Sequence, residues 1–279
     1  MHDSMQGARQ SAEQGALKLL PLPALADNYI WLLHNGQQAL VIDPGEAAGV
    51  QAYLQHHGLR LSDLWITHQH RDHIEGLPAL GAAWQPHIVG AAHPSIQALA
   101  PMRVVQGGER VQALGLEWQV MAAPGHTLTH VLFYCPQVPL QGGAHPVLFC
   151  GDTLFSASCG RLFEGSPAQM LTTLQTILSL PDDTLICCTH EYTQTNLRFA
   201  LSLEPTNPRL QQALQDCMTQ RAAHWPTLPS HLQKEKEINP FLRVFDPAFA
   251  RAMALHLGLA QNDALTVFTA LRQARDGFI

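Results

Sequence analysis

The chain has 279 residues, of which 46% are hydrophobic and 14% charged, with a formal net charge of −6 and sixteen histidines matching the total of Lys plus Arg. That length and apolar content describe a globular protein able to bury a large core without disulfide staples, which sets aside disordered and small disulfide-scaffold classes. The acidic balance supplies no electrostatic footprint for nucleic acid, so no nucleic-acid partner is expected.

The opening "MHDSMQGARQSAEQGALKLL" lacks the basic and then apolar segments of a secretory signal, and no apolar run approaches the ~20 residues that span a bilayer. A soluble cytoplasmic protein with no membrane partner is expected, with residues 1–17 as a flexible tail. The six cysteines (Cys135, Cys150, Cys159, Cys187, Cys188 and Cys217) form no CxxC pair. Three apolar strand-like runs hold four of them, Cys135, Cys150, Cys187 and Cys188, so the cysteines read as buried reduced thiols.

From residue 38 onward, strand-like and helix-like segments alternate. "QALVIDPG" (38–45) is a β-branched run ending in a turn, and "EAAGVQAYLQHHG" (46–58) is a helix stopped by Gly58. Short apolar runs follow at 63–68, 86–91, 116–126, 130–135, 146–152 and 184–190, each bounded by turn residues, as strands of a covered sheet are. "SPAQMLTTLQTILSLP" (166–181) reads as a helix with Ser166 at its N-cap. "QVPLQGGAHP" (137–146) reads as a loop or small insertion. After His190 the texture becomes helical throughout, with no strand-like alternation. An α/β body carrying a helical C-terminal domain is the expected organisation.

Four of the strands end in a potential ligand: "WITHQHRDH", "AAPGHT", "VLFCGDT" and "ICCTHE". Taken singly, each His or Asp is an ordinary loop residue. Strands that share a sheet direction, however, bring their ends to one edge, where α/β active sites lie. The set so defined is His68, His70, Asp72, His73, His126, Asp152 and His190. That many N and O donors exceed one tetrahedral zinc and suit two divalent ions sharing a bridge. Imidazole with carboxylate and no thiolate fits zinc best, with iron or manganese as alternatives.

"THQHRDH" (67–73) resembles the THxHxDH signature of the metallo-β-lactamase superfamily, and "PGHT", "GDT" and "THE" follow in that superfamily's order. The resemblance implies an αββα sandwich with a binuclear centre. His68, His70 and His126 would hold one metal, and Asp72, His73 and His190 the other, with Asp152 bridging. It also implies that Asp43, in "VIDPG", braces the ligand loop.

"DNYIWLL" (27–33), "GDTLFSASCGRLFEG" (151–165), "THEYTQTNLRFA" (189–200) and "INPFLR" (238–243) are more selective and resemble the hydroxyacylglutathione hydrolase (glyoxalase II) family. This likeness implies a monomeric thioester hydrolase that cleaves S-D-lactoylglutathione to glutathione and D-lactate with metal-activated water. Asp72 and Asp152 would be its catalytic carboxylates. It further implies a catalytic domain over 18–190 and a substrate-binding helical domain over 191–279. Arg161, Tyr192, Arg272 and Arg275 would bind the glutathione moiety, whose two carboxylates call for cations. A lactonase of the same superfamily is the alternative, and it would not need those arginines.

The chain departs from the family pattern at Gln69, where histidine is common, and at Phe163, where some relatives carry a glutathione-binding tyrosine. It also has Thr129 where glycine is usual, which is expected to perturb the turn before His130.

Overall fold

The computed structural model describes residues 15–278; the tail expected over 1–17 lies outside the described residues as far as residue 14. Two six-stranded sheets dominate. The first runs in the order β1 (Lys18–Ala24), β2 (Asn28–His34), β3 (Gln38–Ile42), β4 (Arg60–Ile66), β5 (His87–Ala91), β6 (Arg103–Val105). β1–β2 and β2–β3 pair antiparallel, and β3 to β6 pair in parallel. The parallel steps require crossovers, supplied by the helices Ala48–His57, Leu77–Trp84 and Pro94–Gln97 among others. The first of these ends at Gly58 with φ 62°, the left-handed stop anticipated from the sequence.

β1 and β2 precede the first strand legible by pattern. Pro21 and Pro23 interrupt β1, and proline is tolerated there because β1 is the outer strand of its sheet. Without pairing information, "KLLPLPA" does not announce itself as a strand.

The second sheet contains β7 (Arg110–Ala113), β8 (Leu116–Ala122), β9 (Val131–Leu140), β10 (Gly143–Gly151), β13 (Leu185–Cys188) and β14 (Ser230–His231), in the order β14-β13-β10-β9-β8-β7. β11 (Leu154–Phe155) and β12 (Ser158–Cys159) form a separate hairpin. Two expectations are corrected here. Residues 137–146 are not a loop: β9 and β10 extend into them and leave Gln141 and Gly142 as a tight turn, with Gly142 at φ 96°. The Pro, Gly and Gln content that reads as a loop belongs to the exposed end of a hairpin. The second correction is β14, a short strand inside the helical region, which pairs with β13.

The chain divides into two compact units. One takes in the residues to Met121 with Phe133–Leu148, the other Ala122–Leu132 and the residues from Phe149 onward. In the first unit the sheets meet through aromatics. The Trp65 ring on β4 lies 5.7 Å edge-on to Trp118 of β8 and 4.8 Å from Phe133 of β9. Each such side chain removes 150–250 Å² or so of surface from water, so this contact carries much of the cohesion between sheets.

The second unit holds the helices Pro167–Leu178, Thr193–Leu203, Pro208–Ala222, Leu232–Ile238, Pro247–His256 and Ala264–Asp276. Its cores are a cluster of Leu197, Ala200, Leu210, Ala213, Cys217 and Ile238 and a ring series of Phe199, Phe241 and Phe268. Ser166 caps the first of these helices in a full capping box with Gln169. No helix among the described residues is long and apolar enough to cross a membrane.

Candidate metal centre and active site

β4 ends at Ile66, and the chain turns through "THQH" into the short helix Arg71–Ile74. This places four ligand candidates of the first unit on one tight segment, in two pairs. His68 Nε2 stands 3.1 Å from His70 Nδ1. His73 Nε2 stands 3.5 Å from Asp72 Oδ2.

Their orientation is set from behind by Asp43, which follows β3 with φ 52°. Its Oδ1 accepts the Thr67 N–H at 2.7 Å, and its Oδ2 accepts the Thr67 hydroxyl at 2.6 Å and faces His73 Nδ1 at 3.1 Å. Thr67 Oγ1 in turn lies 3.0 Å from His68 Nδ1. Asn28 Nδ2 donates to Asp72 Oδ2 at 3.1 Å. Gly45 lets the Asp43 turn lie against this loop, because a Cβ there would come within 2.0 Å of the Asp72 carbonyl oxygen. Asp43, His68 and His73 offer atoms within 4.8 Å of one another. The bonds to Thr67 and His73 occupy Asp43 as a brace.

In the second unit, His126 follows the end of β8, Asp152 the end of β10 and His190 the end of β13. Asp152 Oδ2 lies 3.4 Å from His126 Nε2 and also 3.4 Å from His190 Nε2. One carboxylate oxygen is thus flanked by two imidazoles. His126 Nδ1 meets the Arg161 carbonyl at 2.8 Å. A carbonyl only accepts, so Nδ1 carries a proton, and in the neutral ring Nε2 turns its lone pair toward the carboxylate. The same reasoning applies to His73, whose Nδ1 faces Asp43 and whose lone pair therefore faces Asp72. Lone pairs turned toward carboxylate oxygen repel unless a proton or a metal cation lies between them, and the donor set of imidazole and carboxylate fits a divalent ion. The chain thus carries divalent-metal-binding clusters of His and Asp.

His130 is excluded from that role, because its Nε2 accepts the Asp152 N–H at 3.2 Å. Thr129 lies outside the left-handed region, so the chain does not need glycine there and the His130 contact forms without it. Cys150 is buried and donates to the Leu154 carbonyl at 3.3 Å.

The four residues expected to meet glutathione all belong to the second unit. Tyr192 stacks on His190, with ring centroids 4.7 Å apart and planes 3° apart. Arg161 is largely exposed, its Nε 3.3 Å from Asp276 Oδ1. Arg272, 5% exposed, donates to the Cys159 carbonyl at 2.6 Å and to Asp276 Oδ1 at 2.9 Å. Arg275 donates from Nε and Nη2 to Asn196 Oδ1 at 3.1 and 2.9 Å. Burial, and then the neighbouring Arg272 and Arg161 cations, hold the Arg275 pKa below its usual value. The three guanidiniums around one carboxylate leave a net positive patch. Phe163 is 63% exposed and edge-on to the His126 ring at 5.3 Å.

Sequence pattern did not single out Asn28 or Asp276 individually. Asn28 lies inside the quoted "DNYIWLL", and Asp276 follows directly after Arg275.

Two family models match the chain. One described as the metallo-beta-lactamase superfamily matches residues 25–190. A solved metallo-beta-lactamase from Staphylococcus aureus superposes with a TM-score of 0.63 at 17% identity, over 94% of this chain and 73% of that one. The chain has the metallo-β-lactamase fold with a helical C-terminal part. A second model, hydroxyacylglutathione hydrolase C-terminus, matches residues 191–278. The hydroxyacylglutathione hydrolase of Albidiferax ferrireducens is 46% identical over 94% of this chain and 100% of its own length. The chain belongs to the hydroxyacylglutathione hydrolase family. The solved structure of TTHA1623 in a di-iron-bound form is also similar, with a TM-score of 0.51 at 27% identity, covering 61% of this chain and 91% of that one.

Proposed function

We propose that this protein is a thioester hydrolase that cleaves S-D-lactoylglutathione to glutathione and D-lactate. The observation that carries the reading is the Asp152 carboxylate oxygen flanked by His126 and His190, on the same unit as the cluster of Arg161, Arg272 and Arg275. The first supplies the hydrolytic centre, and the second the cations that a substrate with two carboxylates requires. A lactonase would have no use for the arginines.

By motif order, His68, His70 and His126 would hold one divalent ion and Asp72, His73 and His190 the other, with Asp152 serving both. Zinc suits these donors best, and iron, which TTHA1623 binds as a di-iron pair, comes next. When bound, a divalent ion would supply hydroxide at neutral pH by lowering the pKa of its water to about 7.

The chain's own residues do the remainder. Asn28 fixes Asp72 Oδ2, where that carboxylate can hold the proton of the attacking water. Tyr192 and the arginines orient the thioester. The leaving thiolate has a conjugate acid of pKa about 8.5, so no strong general acid is needed. Residues 18–190 supply the catalysis together with Arg161, and 191–279 supply the other substrate contacts. The protein acts as a cytoplasmic monomer, a setting that suits its buried thiols.

The test is hydrolysis of S-D-lactoylglutathione with and without chelator, alongside metal analysis. Turnover that survives complete metal removal, or bound metal without turnover of the thioester, would refute the assignment.

A further inference from the structure

The motif "INPFLR" has no part in the chemistry above, yet Asn239 within it, and Glu235 just before it, are both fully buried. Both are spent on one small turn. The β11–β12 hairpin between Asp152 and Arg161 reverses at Ser156 and Ala157, with Ala157 at φ 58°, a conformation that non-glycine residues adopt only at a cost. Its backbone groups are met by side chains distant in sequence. The Ala157 N–H donates to Glu235 Oε2 at 2.7 Å, and the Ser156 hydroxyl to Glu235 Oε1 at 2.8 Å. Asn239 Nδ2 donates to the Phe155 carbonyl at 3.0 Å and to the Ser158 carbonyl at 2.9 Å. Asn239 also donates to Glu235 at 3.2 Å, which locks the pair together.

What this turn holds is the site itself. Gly160, just past the hairpin, donates to the Thr153 carbonyl at 3.1 Å. A Cβ at Gly160 would come within 1.9 Å of the Asp152 carbonyl oxygen and 3.1 Å of His126 Nδ1. The next residue, Arg161, offers the carbonyl that fixes the His126 tautomer. With contacts this close, a displaced hairpin cannot leave Asp152 and His126 where they are.

We infer that Glu235 and Asn239 are positioning residues. By setting the hairpin, they hold the Asp152 carboxylate and the His126 imidazole in metal-binding register and present Arg161 to the substrate. The inference rests on reading Asp152 and His126 as metal ligands.

The experiment is a zinc titration of the metal-stripped protein, corrected for folded fraction by circular dichroism, together with KM and kcat on S-D-lactoylglutathione. It compares wild type with Glu235→Ala, Asn239→Ala and Glu235→Gln. Supporting groups of this kind change metal affinity or activity by about 10–100-fold. Both alanine variants should therefore lose zinc affinity by that order and show a raised KM. Glu235→Gln keeps an acceptor for the Ala157 N–H and should return close to wild type on both readouts.

Unchanged zinc affinity and KM per folded chain, with only a lower melting temperature, would overturn the inference and leave the pair a purely structural role. If the alanine variants do not fold, Ser156→Ala removes a single bond to Glu235 and reads the same two quantities, with the same outcomes deciding. A wild type that binds zinc but does not hydrolyse the thioester would sink the proposed substrate, while the zinc titrations would still judge the positioning role.

Discussion

Asp43→Asn separates the geometry of the ligand loop from its stability. Asparagine matches the size of aspartate and tolerates the φ of 52° found at this position, so the backbone is not challenged. The Asp43 carboxylate serves the Thr67 N–H, the Thr67 hydroxyl and His73 Nδ1, all of them buried. The amide keeps one oxygen, which can still accept from the Thr67 N–H, and turns its NH2 toward the other two groups. The Thr67 hydroxyl can rotate to accept. His73 can accept at Nδ1 only by moving its proton to Nε2, the atom that faces Asp72.

Hydrogen bonds to a charged group contribute about 1.5–3 kcal/mol and neutral ones about 0.5–1.5, so the weakened set costs about 2 kcal/mol in all. In a protein of this size that lowers the melting temperature of the metal-stripped form by about 4–8 °C. The loss of the correct His73 tautomer should cost about 10–100-fold in affinity for the metal that His73 holds. Scanning calorimetry on stripped protein and zinc titration by isothermal calorimetry measure the two effects. A lowered melting temperature with unchanged zinc affinity would refute the argument that Asp43 selects the His73 tautomer.

Other outcomes follow from the same structure. Arg161→Ala and Arg275→Ala should raise KM for S-D-lactoylglutathione by about tenfold or more with little change in kcat, since each would remove a cation that holds substrate away from the reacting bond; an unchanged KM in both would argue against glutathione recognition there. All six cysteines are buried, and burial pushes the Cys159 and Cys217 thiols up to about 11. Native protein should therefore react negligibly with a thiol reagent at pH 8 and denatured protein fully; rapid native labelling would contradict the burial. Burial raises the Asp63 pKa above 3.8, outweighing the opposing effects of the Ser62 hydroxyl and His87. A raised carboxyl favours folding below its unfolded pKa, and that stability is lost as pH climbs through the folded value. Asp63→Asn should thus stabilise the metal-stripped protein more at pH 7 than at pH 3, and equal shifts at both would refute the cause given.

Short-range pattern was enough to read the candidate metal ligands and several elements. A ligand at the end of a strand and a Gly58 stop to a helix are patterns of this kind, and so is Ser166 capping with Gln169; residues a few positions apart suffice to state each one. Partnerships across long separations became visible only once the chain was folded. Asn28 reaches Asp72 over 44 positions and Glu235 reaches Ala157 over 78, and no spacing rule connects them. The same holds for the two arginines near the C-terminus. Arg272 and Arg275 share a helix face by their i, i+3 spacing, yet Arg272 is buried against the Cys159 carbonyl while Arg275 is held by Asn196. Likewise, the extension of β9 and β10 through residues 137–146 depends on pairing between strands rather than on local preference. Local chemistry fixes which groups are available for a site. The distant backbone they meet after folding decides which of them face the substrate and which hold the site together.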